Sequence, residues 1–188
     1  MNANLRKIVI VTSFGKRYRG VIDIPNDSFR TSDLFNAANL YWKNANEKCF
    51  NDAILMYDAD LFLDEIGVYK SFKKLQIKIP EIIFFCDDLE TIGNDVEKSR
   101  ASAMRDKAQE AAQTVDIITP LIANSFYEIT GKFYGLFKKK SNDKFISLSE
   151  AVIFEISKAQ GQMVKKEIKL PHSFLGVSTR YIESLCIE

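Results

Sequence analysis

The sequence predicts a mainly β protein with helical additions (α+β), laid out as two tandem small antiparallel β-barrel units joined by a long helix. Three observations carry that expectation. Short runs of Val, Ile, Phe and Tyr alternate with charged residues at close spacing, as half-buried antiparallel strands require. KKEIKLP, residues 165–171, echoes KLQIKIP, residues 74–80. Between them lies GNDVEKSRASAMRDKAQEAAQTVD, residues 93–116, rich in Ala and interleaved charge, with no Pro and no Gly after Gly93. The expected organisation is therefore a first β-barrel unit over 5–92, a connecting helix over 93–116 and a second barrel over 117–188.

Taken in order, the blocks recur. KRYRGVIDI, 16–24, alternates around Gly20, and YEITGKFYG, 127–135, alternates around Gly131. NDAILMYDADLFL, 51–63, matches SEAVIFEISKAQG, 149–161, with Ala53 set against Ala151. Then Lys74, Ile77, Lys78 and Pro80 meet Lys165, Ile168, Lys169 and Pro171, and EIIFFCDDLETI, 81–92, parallels HSFLGVSTRYIE, 172–183. Blocks kept in one order with shrinking spacers indicate a duplicated unit. Within a strand such as KKLQIKIP, Leu75, Ile77 and Ile79 share one face and Lys74, Gln76 and Lys78 the other. Pro80 and Pro171 lack an N–H and belong at a strand start, an edge or a bulge.

The first copy has an extra piece near 31–42. Thr31 or Ser32 can cap a helix, with Asp33 in its first turn where the helix dipole favours an anion. Leu34, Phe35, Ala38 and Tyr41 or Trp42 fall at helical spacing. The connecting helix begins at Asn94 or Asp95 and carries a narrow stripe through Val96, Ala101, Met104, Ala108, Ala111 and Val115. Its expected use is to bridge the barrels, with a homodimer seam as the alternative.

Composition narrows the function classes. The chain has 188 residues, 46% of them hydrophobic, with 14 Phe and 7 Tyr and a net charge of +1, so no global charge recruits nucleic acid or an acidic membrane. MNANLRKIVIV lacks the apolar length and cleavage site of a secretory signal, and no apolar run approaches a transmembrane span. Three scattered cysteines, Cys49, Cys86 and Cys186, fit a reduced, cytoplasmic setting. With His172 as the single His and no Cys-x-x-Cys, neither a zinc site nor a Ser-His-Asp triad is read, and no cofactor motif is found.

RYRGVIDIP followed by FRTSDLFN, with a Pro-marked strand pair downstream, resembles a family of uncharacterised bacterial small β-barrel (Sm-like) proteins. Their signature is Arg, any residue, Ser or Thr, Asp, any residue, Leu or Phe, then Asn. Arg30, Ser32, Asp33, Leu34, Phe35 and Asn36 carry it, and the likeness covers roughly residues 6–92. The resemblance implies a fold and no activity.

Candidate binding residues are Arg30, Asp33, Asn36, Tyr41 and Trp42. Beside a ligand role stands an ordinary one, a helix cap with an Arg30–Asp33 tether to the barrel. Basic residues flanked by aromatics, Lys16, Arg17 and Arg19 and then Lys138, Lys139 and Lys140, with Lys165, Lys166 and Lys169 further on, offer an RNA or single-strand DNA surface; lysines that guard edge strands are the alternative reading. A nucleotide-second-messenger site is the third option, since Asn26 and Ser28 partly match a D-x-S-x-x-G turn that then has Thr31 in place of Gly. Asp58, Asp60, Asp64, Glu65, Asp87 and Asp88 read as solvated turn residues, with no spacing of a metal loop. The expected function is that of a non-catalytic adaptor with a protein partner. Deleting residues 28–48 is expected to remove binding and leave the barrels folded.

Overall fold

The computed structural model describes residues 4–25, 29–36, 52–63, 67–87, 112–121, 125–133, 143–171 and 174–187. The strands are β1 (Asn4–Thr12), β2 (Arg17–Ile24), β3 (Ala53–Leu63), β4 (Gly67–Lys78), β5 (Ile82–Asp87), β6 (Gln113–Pro120), β7 (Ser125–Phe133), β8 (Phe145–Ala159), β9 (Gln162–Glu167), β10 (Leu175–Ser178) and β11 (Ser184–Ile187). Among the described residues there is one α-helix, α1 (Thr31–Asn36), between β2 and β3.

All eleven strands belong to one antiparallel sheet, in the order β11-β6-β7-β8-β10-β5-β1-β2-β3-β4, with β9 on the far half of β8. This corrects the expected architecture of two separate barrels on a long helix. Among the described residues no long helix joins the halves. Residues 113–116, assigned to that helix, are the start of β6, because Val115, Ile117 and Thr119 alternate inward at the strand period. Residues 93–111 lie outside the described residues.

The halves join strand to strand. β10 pairs with β8 on one side and with β5 on the other, placing Leu175 opposite Cys86, Gly176 opposite Phe85 and Val177 opposite Phe84. Gly176 is required here. A Cβ at that position would sit well inside van der Waals contact with the Phe85 ring. The run IIFFCD makes β5 buried along its whole length, as a strand covered on both faces must be. Phe85 and Ile82 face one core with Ile8, Ile10, Ile22, Ile54 and Met56. Phe84 and Ile83 face a second core with Val11, Ile117, Tyr127, Ile129 and Leu175. β1 divides in the same way, Ile10 to the first core and Val11 to the second.

Each half follows one path. β1 to β4 run as a meander, a 3-10 turn at Ile79–Glu81 follows, and β5 returns to β1. β6, β7 and β8 repeat it, with β9 and β10 together in the place of β4, then a 3-10 turn at Thr179–Tyr181 and β11 back on β6. Each half also carries a bulge: Asp58 (φ 44°) before Ala59, opposite Gly20, and Glu150 (φ 51°) before Ala151, opposite Gly131. The matched positions differ from those read off the sequence. Gly20 does take the place of Gly131, but Ala59 rather than Ala53 is the counterpart of Ala151. Pro80 sits in the 3-10 turn after β4, whereas Pro171 lies exposed between β9 and β10.

Candidate functional site

α1 begins where the sequence places it, and it closes the first core instead of standing apart. Leu34 and Phe35 are each 1% exposed. The Phe35 ring stacks on Phe85 with centroids 4.3 Å apart and tilts against Phe145 at 5.4 Å, a geometry that adds to plain burial. The expectation that the segment can be deleted without loss of the barrel is therefore corrected: deletion of 28–48 strips two core side chains from the first half.

Beneath α1 lies a buried polar network. Arg6 is 2% exposed and Asp87 0% exposed. The Arg6 guanidinium donates to the Phe29 carbonyl at 2.7 Å and to Thr31 Oγ1 at 2.8 Å. The Thr31 hydroxyl donates in turn to Asp87 Oδ2, which lies 3.6 Å from the Arg6 Nη1 atom. Buried charges persist only when paired and hydrogen-bonded, so this network ties α1 to β1 and β5. Asp87 is thus no solvated turn residue. The signal for the network was in the sequence: Arg6 is in phase with Ile8 and Ile10 on the face of β1 that goes inward.

Among the predicted binding residues, Arg30 and Asp33 are exposed and among the described residues show no hydrogen bond or ion pair between their side chains. The expected Arg30–Asp33 tether is replaced by Arg6, Thr31 and Asp87. Asn36 is occupied structurally. Its Oδ1 accepts from the backbone N–H of Lys144 at 2.8 Å and of Phe145 at 3.0 Å, and its amide donates to the Phe145 carbonyl at 3.4 Å, pinning α1 to β8. Tyr41 and Trp42 lie outside the described residues.

The basic residues are scattered. Lys16 is exposed and lies 5.7 Å from the Phe14 ring centroid. Arg17 reaches Glu155 of the other half at 3.6 Å, and Arg19 is exposed opposite Asp60. Lys138, Lys139 and Lys140 lie outside the described residues, as does His172. Lys165 contacts Glu128 at 2.6 Å.

Two features were not anticipated from the sequence. A cleft of about 280 Å³ opens on the outer face of the first half, lined by Lys7, Arg19, Asp58, Asp60 and Phe62 and edged by Pro171 from the second half. The β3–β4 hairpin is the other. Residues 67–71 are all exposed, with Val68 at 51% and Tyr69 at 60%. The β8–β9 hairpin of the second half exposes Met163 and Val164 in the corresponding place. No spacing rule marks such tips, because an exposed and a half-buried strand share one alternation.

Two ionisable groups are shifted. Partial burial against the first core raises the Tyr18 hydroxyl above its usual range. Burial also raises the Asp23 carboxyl, against a smaller lowering by a backbone hydrogen bond at Ile24. Cys86 is buried and Cys186 exposed. Among the described residues no group of three His, Cys, Asp or Glu side chains could hold a metal ion, and no helix is long and apolar enough to cross a membrane. Comparisons with protein-family models, curated proteins and solved structures find no match to this chain.

Proposed function

We propose that this chain is a non-catalytic binding protein, an adaptor that engages another protein through the β3–β4 hairpin. The observation that supports this reading is the exposure of Val68 and Tyr69 on a strand whose neighbouring residues are also exposed. A fold spends Tyr on solvent at a cost, and Tyr is among the residues that anchor protein interfaces. The shared path, bulge and return strand of the two halves support descent from one duplicated unit, which then kept a long open edge in the first half and split it in the second. A cytoplasmic setting and a uniform role as scaffold belong to the same proposal.

The test is direct. A photo-cross-linking residue placed at position 69 of the full chain should capture a partner in cells. The purified partner should then bind the Val68→Ser/Tyr69→Ser variant at least about tenfold more weakly than the native chain. Unchanged affinity overturns the reading. The nucleic-acid alternative keeps one supporting observation, the Lys16–Phe14 pair beside exposed Arg19. It demands single-stranded RNA or DNA binding that falls steeply with salt.

A further inference from the structure

We propose that the distal half of β4, residues 67–73, is a strand-addition edge for an acidic, extended segment of the partner protein. This rests on the adaptor reading above and specifies the partner's chemistry.

Among the described residues three strands have a side without a ladder partner. β11 has 4 residues, β9 has 6 and β4 has 12. An edge strand presents N–H and C=O groups that can pair with another chain, and Lys on the edge commonly discourages this. The two long edges differ in what neutralises their lysines. On β9, Lys165 meets Glu128 at 2.6 Å and Glu167 closes the strand. β4 carries Lys70, Lys73, Lys74 and Lys78 and no acidic residue. Asp60, across from Ser71, accepts the Ser71 hydroxyl at 2.5 Å. Lys70 lies over the Phe72 ring at 5.2 Å, and among the described residues neither Lys70 nor Lys73 has a carboxylate within ion-pair distance. An edge built only to repel needs no Val68 and Tyr69 in solvent. Exposed Val68 and Tyr69 beside Lys70 and Lys73 fit an extended segment that offers apolar side chains together with carboxylates, while the same two lysines turn away basic and plain apolar strands. At about 3.3 Å per residue, these positions accommodate roughly six partner residues.

The experiment uses the full chain and labelled peptides of about eight residues, one alternating Glu with Val and one alternating Lys with Val. Two further Glu–Val peptides are N-methylated at one or the other alternate set of residues, so that each loses the backbone donors along one edge. The Glu–Val peptide should bind, the Lys–Val peptide at least about tenfold more weakly, and one N-methylated peptide should bind like the parent while the other does not bind. Lys70→Glu/Lys73→Glu, checked for native circular dichroism, should reverse the preference. Failure of the Glu–Val peptide to bind, or equal binding by both N-methylated peptides, overturns strand addition. If the partner captured at position 69 still depends on Val68 and Tyr69 while the acidic peptide does not compete, strand addition falls and the adaptor reading stands; loss of both removes the adaptor as well. Concentration-dependent self-association that Tyr69→Ser abolishes and the peptide leaves unchanged assigns the edge to a second copy and also overturns the proposal.

Discussion

Gly20 and Gly131 hold the same post in the two halves, opposite a bulge made by an acidic residue and Ala, yet their surroundings differ. A Cβ on Gly20 would lie 2.8 Å from the Tyr57 carbonyl oxygen and 3.0 Å from the Ala59 Cα. On Gly131 the nearest atoms would be Leu148 Cβ at 3.1 Å and the Ser149 carbonyl oxygen at 3.3 Å. The bulge carboxylates differ too. Glu150 pairs with Lys132 at 2.8 Å, whereas Asp58 faces the charged cleft. The same contrast recurs beneath α1. Asp87 pairs with Ile8 across β5 and β1, and the matching post in β11 is Ile187, paired with Val115. Ile187 is exposed, as is Gln113, which takes the place of Arg6. One chain path thus tolerates two solutions: a first half tightened by a helix and a buried ionic network, and a second half loosened enough to break its fourth strand and pass β10 into the junction.

The largest effect should come from the network that only one half has. Arg6→Met alone leaves the Asp87 carboxylate buried without its cation, and Asp87→Leu alone strands the guanidinium. Each is expected to cost about 3–5 kcal/mol in urea unfolding. The double variant Arg6→Met/Asp87→Leu should cost clearly less than the sum, since two apolar side chains can replace a buried pair. Additive losses would mean that the two residues do not act as a unit and that the helix is held by its Leu34 and Phe35 packing alone. Gln113→Met in the second half, where the post is exposed, should stay within about 0.5 kcal/mol.

Much of this was legible from residue order. Strand alternation marked β2 to β5 and β7 to β10, and the capping residues at Thr31 and Ser32 marked the start of α1, whereas the start of β6 fell to an expected helix and β11 lies past the last run that the pattern marks. What stayed hidden was set by tertiary context. TVD, residues 114–116, falls to the expected helix because the Ala-rich run before it sets the composition of the window, although Val115 and Ile117 already alternate. Pro80 and Pro171 look equivalent because both follow a Lys-rich alternating run, but nothing local tells a strand that continues into a 3-10 turn from one that stops and restarts. Asp58 and Glu150 show no outward mark of a bulge, since left-handed backbone in an acidic residue is imposed by the partner strand. Arg6 could have been recognised as a core residue from its phase with Ile8 and Ile10. Its partner could not, because Asp87 ends a wholly apolar run and reads as the first residue of a turn. The exposed β4 edge shares its alternation with a half-buried strand and is distinguished only by the lack of a covering strand among the described residues.

A smaller and more discriminating effect separates the bulges. Gly20→Ala should cost about 1–3 kcal/mol, because two of its three closest neighbours are backbone atoms held in the sheet, and overpacking against backbone cannot relax. Gly131→Ala meets chiefly the Leu148 side chain at slightly longer distances and should cost less than about 1 kcal/mol. Paired thermal melts give the order. Equal costs would show that the first bulge is as yielding as the second, and the claim that the first half is the tighter would fail.

The smallest effect is a matter of pH. Asp23 lies on β2 opposite Leu5, and partial burial raises its carboxyl above the usual range. A raised value means that the folded chain holds this proton more firmly than the unfolded chain. Its contribution is therefore most favourable below the unfolded carboxyl range near pH 4, declines as pH rises through the folded value, and is level above it. Asp23→Asn removes that decline. At neutral pH the variant should equal or slightly exceed the native chain, by no more than about 0.5 kcal/mol given the exposure of the site, and the two stability curves should converge in acid. A variant less stable at pH 7 than at pH 4, relative to the native chain, would show that the Ile24 backbone bond outweighs burial and that the carboxylate is an asset to the first half rather than a cost.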